Sequence, residues 1–181
     1  MHTCEIRSAS LAIILTVGLI AVGIQSDLDP LIVTAQAQAD GDRSVREEFH
    51  AMLAKVDAAQ LDLQNGKAEP FKALWSRADD VTLAGGFGGG VEKGWEQISR
   101  RLDWVGAQFS KGTHAHQRIV ANMSGALGYL VQMEHVRFHV PGQAKESTRD
   151  YRVTMVFRRE SGGWRIVHRQ ADSQMMKQVP Q

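Results

Sequence analysis

Near the C-terminus, His168, Gln170 and Asp172 stand two residues apart in the stretch Trp164-Arg-Ile-Val-His-Arg-Gln-Ala-Asp172. Strand residues two apart share a face. The spacing therefore predicts an imidazole, an amide and a carboxylate in one row behind the apolar Trp164 and Ile166. An imidazole titrates near pH 6.5 and can carry a proton. An amide donates and accepts hydrogen bonds without titrating. A carboxylate can orient a ligand or take a proton from it. In an extended strand His168 and Asp172 are about 13 Å apart, too far to form a dyad. Proton transfer would need a partner from elsewhere, such as Tyr129, His50 or the ligand itself.

The element that must hold this row is a β-hairpin turning at Glu160-Ser-Gly-Gly163. A two-residue loop at Ser161-Gly162 sets Arg159 opposite Trp164. With regular alternation, Val153, Met155 and Phe157 then share a face with Trp164, Ile166, His168, Gln170 and Asp172, with His168 across from Met155 and Asp172 across from Tyr151. Tyr129, Val131 and Met133 from the preceding strand complete the expected wall of a cavity. The opposite face would carry Arg152, Thr154, Val156, Arg158, Arg165, Val167 and Arg169, with Gln132 and Glu134 on the same side. A three-residue loop would instead bring Arg152 and Arg158 to the His168 side.

Upstream, Phe49, Met52, Leu53, Val56, Ala59 and Leu63 recur in steps of three and four and predict a helix over 43–64, stopped by Asn65-Gly66. Pro70 suits the first turn of a short second helix reaching Trp75. A short strand follows at Val81–Ala84, then the glycine-rich Gly85-Gly-Phe-Gly-Gly-Gly90. Trp95, Ile98, Leu102, Val105 and Phe109 predict a third helix over 94–109. Beyond Gly112 the pattern has period two, giving strands near 113–122, 126–139, 147–160 and 163–173. Helices first and antiparallel strands after define an α+β domain, with three N-terminal helices on the concave face of a strongly curved, mainly antiparallel sheet.

The chain of 181 residues is enough for one domain. Arg7, the apolar run Leu11–Ile24 and Ala35-Gln-Ala-Gln-Ala39 have the form of a secretory signal peptide over 1–39. The run is short for a membrane span, although an uncleaved N-terminal anchor is the alternative. With the signal segment removed, contact with the membrane is transient and the mature protein is secreted or periplasmic. The single cysteine, Cys4, lies in this segment. Disulfides and thiolate chemistry are thereby excluded from the rest. The net charge of +1 argues against a nucleic-acid partner.

Other groups carry less. His114 and His116, like His135 and His139, are pairs without the further ligands zinc needs, so no metal is expected. The Gly85–Gly90 run lacks the lysine and hydroxyl of a phosphate loop and reads as a mobile loop at a cavity mouth. Trp75 and Trp95 read as core. Trp104 falls off its helix stripe and is a candidate for a rim or interface.

Asp79-Asp-Val-Thr-Leu, Gly89 through Lys93-Gly-Trp-Glu96, Arg101-Leu-Asp-Trp104, Arg152-Val-Thr and Phe157 through Asp172 resemble SnoaL-like proteins. These are ketosteroid isomerase homologues of the nuclear-transport-factor-2-like superfamily. The resemblance covers about residues 45–174, with 40–44 a short extension and 175–181 a tail. It implies a cone-shaped fold and homodimers paired through the outer sheet face, and it spans isomerases, cyclases, dehydratases and non-catalytic modules. The isomerase carboxylates are missing, with Gly85 and Met155 at the matching places, and Gln170 replaces a histidine usual in close relatives. The expected function is an exported protein binding a small, mostly apolar molecule, without cofactor. The ligand wall would be Tyr129, Val131, Met133, Met155, Phe157, Ile166, His168, Gln170 and Asp172. An enzyme using His168 as acid/base, assisted by Asp172 or Tyr129, and a non-catalytic dimeric module are the alternatives.

Overall fold

The computed structural model describes residues 30–173. Its elements are α1 (Pro30–Leu63), α2 (Glu69–Lys72), β1 (Thr82–Ala84), β2 (Val91–Lys93), α3 (Trp95–Gly106), β3 (Ser110–Ser124), β4 (Leu127–His139), β5 (Glu146–Glu160) and β6 (Gly163–Asp172). One six-stranded sheet runs β2-β1-β6-β5-β4-β3. Every pairing is antiparallel except β1 with β6. The sheet is curved and open, and the helices pack on it. The signal-peptide reading falls mostly outside the described residues.

The stripe on α1 buries as its spacing dictates: Phe49, Met52, Leu53, Val56, Ala59 and Leu63 are all in the core. Phe49 stacks edge-on against Phe157 at 5.5 Å and lies 4.9 Å from Trp164. This close approach requires Gly128 on β4, because a β-carbon there would lie 2.6 Å from the Phe49 ring. Gln38 through Ser44 are exposed, so α1 begins outside the domain and joins the core only from Val45 onward. The short α2 buries Phe71, and Trp75 packs just beyond it. Lys72 ties α2 to α3 through Asp103 at 2.8 Å. The glycine-rich run connects β1 to β2, a strand that periodicity did not reveal because it is only three residues long.

The decisive departure from the expected pattern lies in β6. The hairpin closes as anticipated, with Arg159 opposite Trp164 and Glu160 opposite Gly163. Then Phe157 pairs with Ile166 but Val156 pairs with His168, leaving Val167 as an extra residue. This is a β-bulge, and it exchanges the two faces of everything beyond it. Its local cause is a change of neighbour. Ile166 exchanges backbone hydrogen bonds with Leu74 and Ser76, at 2.9 and 3.0 Å, whereas β1 takes over from His168 onward.

Arg169 therefore lies opposite Met155 and Ala171 opposite Val153, on the buried face. His168, Gln170 and Asp172 turn to the outer face, correcting the row predicted from spacing. On β4 the face assignment is also reversed. Leu130, Gln132, Glu134, Val136 and Phe138 are buried, while Tyr129, Val131 and Met133 point outward.

Candidate functional site

Beneath α1 and α3 the sheet encloses a small inner cavity of about 50 Å³. Its apolar wall comes from Leu63, Phe71, Leu83, Leu102, Val105 and Phe109. Its polar groups are Gln60 and Gln64 from α1, Arg101 from α3, Glu134 from β4, Tyr151 from β5 and Arg169 from β6. Four of the seven buried polar side chains of the described residues (Gln60, Gln64, Glu134 and Arg169) line this one space.

At its floor, Arg169 grips Glu134 with both amino groups, Nη1 to Oε1 at 3.1 Å and Nη2 to Oε2 at 2.8 Å. Two amides also donate to Oε1: Gln132 at 2.9 Å and Gln60 at 3.2 Å. Burial alone would push the Glu134 carboxyl up, but the Arg169 guanidinium and nearby His114 outweigh it and hold Glu134 well below the usual carboxylate range. The pair is thus ionised and neutral as a unit. The network extends outward, where Arg118 donates to Gln132 Oε1 at 3.1 Å and to Asp57 at 2.8 Å. Burial also pushes the Tyr151 phenol up, so its hydroxyl stays protonated at neutral pH.

The mouth is built by the glycine-rich loop. Gly86 lies flat on Tyr151, where a β-carbon would sit 2.3 Å from the ring. This packing turns Phe87 inward against Phe109 and Trp104, each at 5.6 Å between centroids. Arg149 covers the Phe87 ring from outside at 4.6 Å. One side-chain hydrogen bond, Arg101 Nη2 to Gly88 O at 2.9 Å, fastens the loop to α3. Phe87 also lines an open outer groove of about 650 Å³ with Phe138, Val140 and Arg149, so this ring separates the groove from the inner cavity. Trp104 is half exposed on this rim, as its off-stripe position indicated. Another groove, near Arg46, Ser124 and Arg159, has about 500 Å³. It contains none of the fully buried polar side chains.

The residues expected to form the ligand wall do not do so. Met155, Phe157 and Ile166 face inward but are fully buried packing residues. Tyr129, Val131 and Met133 lie on the outer face by strand parity, and Tyr129 is 42% exposed. His168 Nδ1 meets Thr82 Oγ1 at 2.8 Å, and burial lowers its pKa. Asp172 is paired with Arg152 at 2.7 Å. His114 and His116 approach separate carboxylates, Glu134 and Asp57, each at 3.7 Å. Gly85 lies at the cavity mouth and Met155 in the core, so the isomerase-like carboxylate places hold no acid. The outer face is less basic than expected. Arg169 is inside, and Arg158 is matched by Asp80 and Glu160 at 2.6 and 3.1 Å.

Sequence reasoning missed Glu134 and Arg169. Val136 and Phe138, alternating with His135, Arg137 and His139, signalled the parity that buries Glu134. Nothing local signalled Arg169.

Solved structures with this architecture are numerous. A provisionally named dehydratase of the nuclear-transport-factor-2-like family from Streptomyces avermitilis is 17% identical, with a TM-score of 0.63 over 74% of this chain and 99% of that one. A nuclear transport factor 2-like superfamily protein from Salmonella enterica is 18% identical, with a TM-score of 0.64 over 76% and 96%. A provisionally named scytalone dehydratase from Novosphingobium aromaticivorans is 12% identical, with a TM-score of 0.61 over 79% and 93%. At these identities the likeness is one of fold. No protein with a curated description matches significantly. The SnoaL-like domain model matches residues 43–176, from the start of the buried part of α1 to just past β6, and the chain belongs to that family within the nuclear-transport-factor-2-like superfamily.

Proposed function

We propose that this protein binds a small, mostly apolar molecule in the inner cavity, reached from the outer groove when Phe87 swings aside. The observation that carries this reading is the convergence of four buried polar side chains on one small space whose remaining wall is mostly apolar. Such a combination fixes a ligand's orientation while burial supplies affinity. Recognition fits the chemistry better than proton transfer. Glu134 is locked as an anion by Arg169, and Tyr151 is held protonated, so neither titrates near neutral pH. Two fold neighbours are described as dehydratases, but His168, the acid/base candidate of an enzymatic reading, points away from the cavity.

The test is a lipophile panel followed by methyl NMR at Leu63, Leu102 and Val105. Saturable shifts confined to these signals are expected in the wild type. Filling the cavity with Leu102→Trp should abolish them while circular dichroism stays native. Shifts that survive the filling would place binding elsewhere.

Two further features belong to the same reading. The N-terminal segment is proposed as an export signal, because removal after Ala39 would take away none of the core residues among the described residues. Mass spectrometry of the exported protein should then find Asp40 first, and an intact Met1 would rule this out. The outer sheet face is proposed as a homodimer surface. Ile119, Val120, Leu127 and Tyr129 are large apolar residues left exposed on β3 and β4.

A further inference from the structure

Two polar atoms in the wall of the inner cavity have nothing to bond. Gln64 Oε1 and Arg101 Nε are both shut off from solvent, and neither has a hydrogen-bond partner among the described residues. Both side chains line the same space. The carboxylate nearest Arg101 Nε is Glu92, whose Oε1 stands 3.7 Å away, beyond hydrogen-bond length. Buried polar atoms in folded proteins are almost always satisfied by something, because leaving them unpaired is costly.

The two atoms differ in kind. An amide oxygen only accepts, and a guanidinium N–H only donates. Whatever satisfies both must bring a donor and an acceptor together. The cavity calls for no net charge, since Glu134 neutralises Arg169 at 2.8 Å and Glu92 stands opposite Arg101 at 3.7 Å. Its volume of about 50 Å³ seats the polar end and first carbons of a ligand, as one water-sized group needs roughly 10–15 Å³, and the remaining carbons extend past Phe87 toward the outer groove.

We infer that, granted the cavity reading above, the buried end of the ligand is a hydroxyl on an apolar frame, an alcohol or a phenol. The ligand O–H donates to Gln64 Oε1, its oxygen accepts from Arg101 Nε–H, and its carbon frame lies against Leu102, Val105 and Phe109. A ketone would leave Gln64 unmet. A carboxylate would set a second acceptor against Gln64 and bury an extra charge. A hydrocarbon would leave both atoms unmet.

Four probes of nearly one size test this on the full chain: benzyl alcohol, toluene, benzaldehyde and benzoate, titrated by calorimetry with methyl NMR of the cavity residues. Benzyl alcohol is expected to bind roughly tenfold more tightly than toluene or benzaldehyde, with benzoate weakest. Gln64→Met should abolish the preference for benzyl alcohol over toluene. Arg101→Met is a second variant expected to do the same. If toluene equals benzyl alcohol in the wild type while the cavity methyls still shift, the hydroxyl assignment is overturned and the cavity reading stands. If none of the four probes moves those methyls, the cavity reading falls and the hydroxyl assignment with it.

Discussion

Glu134 and Arg169 show how a single pair can decide both stability and site. The carboxylate is 1% exposed and accepts hydrogen bonds from three side chains. Removing one charge of a buried pair strands the other and costs about 3–5 kcal/mol, whereas replacing both by apolar groups is often nearly neutral. Glu134→Gln is therefore expected to lower stability by about that amount in urea unfolding, and Glu134→Leu with Arg169→Met by much less. A single-variant loss below about 1 kcal/mol would show that the pair is not held as described. The pH dependence follows from the depressed pKa. The stabilisation is fully present above the ordinary carboxylate value of 4.5 and is lost as pH falls from there through the folded value. Glu134→Gln should flatten that acid limb of the stability curve. At this scale the sequence was half legible. Glu134 could be placed from the alternation of its own strand, but Arg169 could not, since an arginine amid other arginines reads as solvated until its partner 35 positions away is known.

Elements were more legible than residues. Each long helix and strand could be read from periodicity because burial enforces that periodicity over many residues. The α1 stripe and the turn register of the last hairpin appear in the structure as the spacing predicted. The bulge at Val167 was hidden because Trp164, Ile166, His168, Gln170 and Asp172 make an unbroken alternation. Its cause lies in backbone bonds from Leu74 and Ser76, far away in sequence. Because Val167 is the surplus residue, deleting it should keep Arg169 on Glu134 and cost about 1–2 kcal/mol, in the ordinary range for single changes. Were β6 regular, Arg169 would already face outward, and the same deletion would exchange the faces of every residue beyond Ile166, at a cost beyond that ordinary range. Thermal melts of the deletion variant separate the two outcomes.

For the whole molecule, the sheet has two faces with different tasks. The inner face meets the helices and builds the cavity. The outer face carries Tyr129 beside Val156 and Val131 beside Val120 across neighbouring strands. If two copies pair through this face, Tyr129→Lys should shift the mass found by light scattering from dimer to monomer without changing the far-ultraviolet spectrum. A wild type that is monomeric at high concentration would remove the dimer proposal. The α+β layering itself was legible, because order of elements and strand period constrain it strongly.

The extra residue in the last strand also governs how this chain can be compared with its kin. Against a relative whose corresponding strand lacks the bulge, an ungapped alignment would match His168 to a pocket residue, although His168 faces the other way. Opening a one-residue gap at Val167 brings Arg169 into that column. In such a comparison Arg169 and Ala171, not His168 and Gln170, stand against the inward positions of the other strand.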